Sequence, residues 1–375
     1  MLGGFGIGRW FGFPVRIDYS WFLVFALVVW TFGAEFSHQL PGYAPPTYYG
    51  MSTAAGLLFF LSVLLHELAH SAVARTRGIE VEGITLFLFG GVAQTRMEAK
   101  KASDEFLLTA AGPLTSVLLA GAFFGLARVG GALGWAGPVR TVLGFLALLN
   151  LVLAIFNMFP GFPLDGGRIF RSVVWYVTGN LERATRWATM GGRAFGALLI
   201  AFGAIEIFHF QALIPGLWSG FIGWFLANAA ATSYRQFTVR QMLSRVSVAR
   251  VMVTQPPAVS PETSVQRLIE EYFLGHPHRA YPVVEDGAVL GLVGVEDVAK
   301  LGAVERRTTS VRHVMRPLDE VPVTDRGETL DRVLARLSPG KEEQAVVVED
   351  GRLVGILTLE QIGEWVKRAR ELGVT

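Results

Sequence analysis

One motif limits what this chain can become more than any other: three ionisable residues set inside an apolar run. Residues 61–75 read LSVLLHELAHSAVAR, with His66-Glu67-Leu68-Ala69-His70 at the centre. On a helix, His66 and His70 fall one turn apart on one face, so both imidazoles can reach a single metal ion. Glu67 lies about 100° round the helix, placed to take a proton from water without ligating. In a soluble helix the same spacing arises as a surface salt-bridge pattern. Here residues 53–74 are otherwise nearly all apolar, and at about 1.5 Å per residue they are long enough to cross a bilayer. Ionisable groups in such a segment are costly and mark a functional site facing the protein interior. The motif points to a metal site inside a membrane.

Composition agrees. Of 375 residues, 51% are hydrophobic and 17% charged, with a mean hydropathy of +0.43, which implies several spans plus a soluble part. Residues 1–234 hold 14 of the 33 Lys/Arg and 11 of the 31 Asp/Glu, and residues 235–375 hold the remaining 19 and 20. The division reads as a membrane domain (1–234), a linker (235–247) and a soluble domain (248–375). A net charge of +2 gives no reason to expect a nucleic-acid partner. Cysteine is absent, so any metal must be held by His, Asp or Glu.

Apolar runs predict six spans, at 19–36, 53–74, 106–127, 139–156, 194–210 and 217–231. The Gly- and aromatic-rich residues 1–17 precede the first. Between the second and third, GITLFLFGGVAQT (83–95) is too short to cross. Its Gly90-Gly91 pair reads as the turn of a hairpin that dips into the membrane, or else of a plain surface hairpin. Residues 96–105 read as a charged loop. The fourth run breaks at NMFPGFPLDGGR (157–168), where two prolines and three glycines oppose a continuous helix. Helix is expected to resume through 169–177. With six spans, 12 of the 14 Lys/Arg of the membrane half fall on the side of the termini, leaving out Arg128 and Arg140. The positive-inside rule then places both termini and the soluble domain in the cytoplasm of a multi-pass cell-membrane protein.

Two histidines do not complete a catalytic zinc site; a third protein ligand is wanted. The membrane half offers Asp165, Glu206, His209, Glu35 and His38. Asp165 is best placed, in a Gly-rich break at the end of a span, although L-D-G-G alone would read as a turn.

The soluble half repeats itself. Val251-Met252 recurs as Val314-Met315, Pro282–Gly287 as Val346–Gly351, and Val289–Val293 as Leu353–Leu357, a period of about 64 residues. Each unit reads strand, helix, strand, tight turn, strand, helix, which predicts a paired α/β module at about 248–302 and 311–369.

Together these residues resemble a known family. HELAH in one span and NMFPGFPLDGGR in a later one resemble the paired motifs of the site-2 protease family of intramembrane metalloproteases (peptidase family M50). FGGVA and AGPLTS (111–116) resemble its membrane-dipping loop and its A-G-P-x-x-N segment. The repeats resemble a tandem CBS pair, and the order of the two is similar to the group containing the sporulation protease that processes a pro-sigma factor. The resemblance implies a polytopic α-helical membrane protein with a membrane-dipping β-hairpin, followed by a soluble α/β tandem CBS module. It implies His66, His70 and Asp165 as ligands of one Zn2+ and Glu67 as general base. Asn157 is implied to contact the substrate backbone, and Gly90 and Gly91 to sit in a hairpin whose edge pairs with an unwound substrate strand. Ser116 departs from the family's Asn, which leaves no role assigned at that position. CBS modules commonly bind adenine nucleotides (ATP or AMP) through a Ser/Thr and an Asp three residues on. Each repeat keeps half of that pair: Gly294 with Asp297, and Thr358 with Gln361.

The expected partners are a membrane-protein substrate, the lipid bilayer, a second copy through the CBS domains and an adenine nucleotide. Two other classes compete. A CBS-regulated transporter or channel would want a polar pathway through several spans, whereas the buried charges gather at one metal site. An inactive scaffold has no use for Glu67.

Overall fold

The computed structural model describes residues 3–87, 90–95, 99–276, 278–337 and 343–373, with backbone alone for 92–95. It divides into two compact units, Met1–Arg235 and Gln236–Thr375.

The first unit opens with strands, which hydropathy did not reveal. β1 (Gly4–Trp10) and β2 (Phe13–Asp18) form a hairpin whose two turn residues, Phe11 and Gly12, both have positive φ. That backbone matches the twist of the strands it joins. β2 pairs in parallel with β3 (Val81–Phe87), and β3 antiparallel with β4 (Gly90–Thr95), giving the order β1-β2-β3-β4. A parallel pair needs a crossover, supplied by α1 (Ser20–Gln39) and α2 (Pro45–Thr76). Phe13 and Val15 of β2 and Ile84 and Leu86 of β3 pack on Trp21, Phe60, Val63, Leu64 and Leu68 of these helices. The sheet is thereby seated against the helix that carries the histidines.

Gly90-Gly91 is not the hairpin turn. Gly90 lies opposite Phe87 and Gly91 opposite Leu86, so the pair opens β4. The remaining helices are α3 (Ala102–Ala132), α4 (Gly137–Asn157), α5 (Asp165–Thr178), α6 (Leu181–Phe208) and α7 (Leu213–Leu243). All but α5 are long and apolar enough to cross a membrane, six in total with α1 and α2 among the described residues. Large apolar side chains such as Leu23, Leu118, Leu198 and Trp224 stand exposed on them, as lipid-facing surfaces require. The chain is a polytopic α-helical protein followed by an α/β unit.

Several boundaries correct the sequence reading: α6 begins at Leu181 rather than 194, and α7 runs to Leu243, through most of the expected linker. α2 begins at Pro45, where Pro occupies the first positions that need no N–H partner. α3 takes in Asp104 and Glu105, expected in a loop, as the acidic first turn of a helix. α5 begins at Asp165 itself rather than at 169.

In the second unit the repeat is structural. β6 (Ala280–Glu285) and β7 (Ala288–Gly294) form a hairpin, as do β10 (Gln344–Glu349) and β11 (Arg352–Thr358); β5 (Val253–Thr254), β8 (Arg316–Pro317) and β9 (Val323–Thr324) complete a seven-stranded sheet. Both hairpins turn on Asp-Gly, Asp286-Gly287 and Asp350-Gly351, with positive φ at all four residues. Both carry a register shift at the equivalent place, between Val283 and Val284 and between Val347 and Val348. Tyr281, Val283 and Val293 anchor one core, and Leu330, Val347 and Leu357 another.

Candidate metal centre

α2 presents Ser62, His66, His70 and Ala74 in a buried line, one turn apart. The facing surface is α3. Its interior Pro113 has no N–H to give to the carbonyl of Thr109 and crowds that turn of helix. The neighbouring carbonyl, Leu108 O, lies 2.8 Å from His70 Nδ1. A carbonyl only accepts, so His70 carries a proton on Nδ1, and in the neutral ring Nε2 is then the nitrogen with the lone pair. About two turns further along α3, Ser116 Oγ lies 2.9 Å from His66 Nδ1 and can accept in the same way. Between these contacts sits Gly112. A Cβ there would stand 2.2 Å from His70 Nε2 and 2.5 Å from His66 Nε2, so only glycine leaves the two nitrogens room.

Asp165 arrives from α5. Its Oδ2 lies 3.0 Å from His66 Nε2 and 3.3 Å from His70 Nε2. The start of α5 is pressed onto the preceding loop, backbone to backbone. A Cβ at Gly166 would meet Met158 O at 2.2 Å, and one at Gly167 would meet the Gly161 carbonyl carbon at 2.3 Å. Gly161 in turn abuts Gly192 N of α6, at 2.3 Å from its own Cβ position. The D-G-G run is thus a close-packing requirement as well as a turn signal.

One ligand atom from each of His66, His70 and Asp165 lies within 4.8 Å of the others, the sole such His/Asp/Glu group among the described residues. A tetrahedral ion with bonds of about 2.0 Å has ligand atoms about 3.3 Å apart. The 3.0 and 3.3 Å separations match that edge, and both histidines have their outer nitrogens held, as metal-ligating imidazoles generally do. The donor set fits zinc.

Glu67 lies beside this cluster and against β4. A Cβ on Gly91 would come within 2.4 Å of Glu67 Cγ. β4 is the end strand of its sheet, so a strand edge runs next to the carboxylate. Asn157 is the last residue of α4, half-buried, eight residues before Asp165. The other acidic and imidazole candidates are elsewhere: Glu206 accepts from Ser219 Oγ at 2.6 Å, Glu35 accepts from Gln39 Nε2 at 2.7 Å, and His38 and His209 are exposed at helix ends. Leu108, Gly112 and Ser116 were missed as neighbours of the histidines. The A-G-P-L-T-S segment was the available signal.

In the second unit, Asp297 Oδ2 accepts from Gly294 N at 2.7 Å, capping the short helix Val295–Ala299. Thr358 and Gln361 exchange two such bonds at the start of Leu359–Glu371. Asp297 Oδ2 also lies 3.5 Å from Arg316 Nε.

The comparisons with known proteins follow this layout. The model of peptidase family M50 matches residues 54–132 and 126–199, and that of the CBS domain matches 248–303 and 311–367. The chain is 36% identical over 362 residues to the provisionally named zinc metalloprotease Rip3 of Mycobacterium tuberculosis, covering 96% of this chain and 92% of that one. It is 30% identical over 313 residues to zinc metalloprotease MJ0392 of Methanocaldococcus jannaschii, covering 82% and 83%. A solved site-2 protease structure from Methanocaldococcus jannaschii aligns with a TM-score of 0.41 at 25% identity, over 61% of this chain and 94% of that one.

Proposed function

Given that the chain belongs to peptidase family M50, the site-2 type of zinc metalloprotease, we propose that it hydrolyses a peptide bond in or near a transmembrane segment of a membrane-associated regulatory protein. The observation that carries this reading is the convergence of His66 Nε2, His70 Nε2 and Asp165 Oδ2, with the outer nitrogens of both histidines held by α3.

His66, His70 and Asp165 hold one zinc ion. When bound, zinc polarises the scissile carbonyl and acidifies water. Glu67 takes the proton of the attacking water and passes it to the leaving nitrogen. The substrate segment unwinds and adds to the free edge of β4 near Gly90 and Gly91, because a helical peptide bond is internally hydrogen-bonded and an extended one is not. Asn157, at the helix break, binds the substrate backbone. The apolar helices keep bulk water from the cluster.

Both termini and the CBS unit face the cytoplasm, following the distribution of basic residues. The CBS pair joins two copies of the chain and regulates cleavage, with ATP or AMP held through Asp297 and Thr358. The two residues belong to different repeats, and each supplies one half of a ribose clamp, a carboxylate from Asp297 and a hydroxyl from Thr358. Titration calorimetry with ATP and AMP, on wild type and on Asp297→Ala and Thr358→Ala, tests that part.

The decisive experiment is zinc content and cleavage of a model transmembrane substrate for wild type and Glu67→Gln. Zinc in both with cleavage lost in the variant supports the assignment. Unchanged cleavage, or a folded wild type without zinc, overturns it.

A further inference from the structure

One face of α3 meets both histidines and, through an ion pair, the helix that carries Asp165. Glu105, Leu108, Gly112 and Ser116 are spaced so that they share a helix face. Three of them deal with the histidines, as described above. The fourth, Glu105, sits in the first turn of α3 and is buried to 1% exposure. Its Oε1 accepts from Arg171 Nε at 2.8 Å and also from Arg171 Nη2, and Arg168 Nε lies 3.7 Å away. Arg171 belongs to α5, six residues after Asp165, and is itself buried. Its guanidinium lies 5.2 Å over the ring of Phe162, in the loop that leads into Asp165. The helix that holds both imidazoles therefore also holds, through one ion pair, the helix and the loop that deliver the carboxylate.

Stability alone does not explain the pair. Desolvating a buried Arg and Glu costs about as much as their attraction returns, and an apolar pair of similar volume packs at least as well. What a fork of two N–H groups on one oxygen adds is direction: it fixes the rotation and height of α5 against α3. A metal centre needs that, because its ligand distances tolerate only about ±0.2 Å.

We infer that Glu105 and Arg171 are positioning residues for Asp165, setting the geometry and affinity of the metal centre without touching it. The inference rests on the site reading proposed above.

The test uses full-length protein in detergent, stripped of metal: wild type, Arg171→Lys, and the double variant Glu105→Gln/Arg171→Gln. The double variant leaves no buried charge unpaired. Arg171→Lys keeps the charge pair, and decides the question if the double variant fails to fold. Zinc affinity is read by chelator competition and ligand geometry by the visible spectrum of bound Co2+. The expected result is zinc affinity lowered about 10- to 100-fold in the double variant, less in Arg171→Lys, with a shifted Co2+ spectrum in both. Wild-type affinity and spectrum in every variant that folds, whatever its melting temperature, would overturn the inference alone. A folded wild type that binds neither zinc nor Co2+ would overturn the site reading and the inference with it.

Discussion

Gly91 of β4 and Glu67 of α2 are in direct contact: a Cβ on the glycine would lie 2.4 Å from Glu67 Cγ and 3.1 Å from its carboxyl carbon. Strand and carboxylate therefore share one position. Gly91→Ala asks for no unusual backbone, since no positive φ is needed there. The methyl pushes Glu67 aside, and a displacement of about 1 Å in a catalytic group costs on the order of 100-fold in rate. Cleavage of a transmembrane substrate should fall by about that factor while zinc content stays at wild-type level. Full activity in the variant would show that Glu67 is not held by β4.

Ser116→Ala removes the partner of His66 Nδ1. The ring is then free to turn and to move its proton to Nε2. Zinc affinity should drop about 10- to 100-fold, measured by competition with a chromogenic chelator. An unchanged dissociation constant would mean that Ser116 does not orient His66.

Gly112→Ala is favourable for a helix in itself, yet its Cβ falls 2.2 and 2.5 Å from the two Nε2 atoms. Helical circular dichroism should be unaltered and zinc should be absent from the purified protein. Retention of one zinc per chain would show that α2 and α3 can separate without loss of the site.

Leu357 is fully buried in the core of the second repeat. Leu357→Ala should destabilise the CBS unit by about 2–5 kcal/mol, seen as a lower denaturant midpoint for its unfolding. Zinc content of the folded protein should not change, because His66, His70 and Asp165 all lie in the first unit. A loss of zinc under native conditions would contradict the separation.

The legible parts of the molecule were those written within one element. His66 and His70 announce themselves because four residues on a helix define a face, and an apolar run around them excludes the surface alternative. Asp165 stood out because the membrane half offers few other candidate ligands and it lies in a Gly-rich break at the end of a span, although L-D-G-G alone would read as a turn. The repeat was legible because Asp-Gly turns need positive φ, which narrows the residues that serve. What was not legible depends on which faces meet. Nothing in the order of residues tells that Leu108 and Ser116, rather than their neighbours, face α2; helix rotation decides it. Glu105 looked like part of a charged loop because its partner, Arg171, is 66 residues away. Gly90-Gly91 was misplaced for a different reason. A glycine required for a turn and one required for close approach to Glu67 are the same letter, and only the register against Leu86 and Phe87 separates them.

His66 and Asp165 are 99 residues apart in the chain, and this has a bearing on biosynthesis. A ribosome adding about 5–20 residues per second takes about 5–20 s to cover that distance. During that interval the growing chain has the two imidazoles in the membrane and no carboxylate to join them. The cluster closes only after the fourth membrane helix has been inserted and the chain has turned back into α5. A chain that has not yet reached Asp165 holds two of the three ligands, so the metal centre is completed late in synthesis.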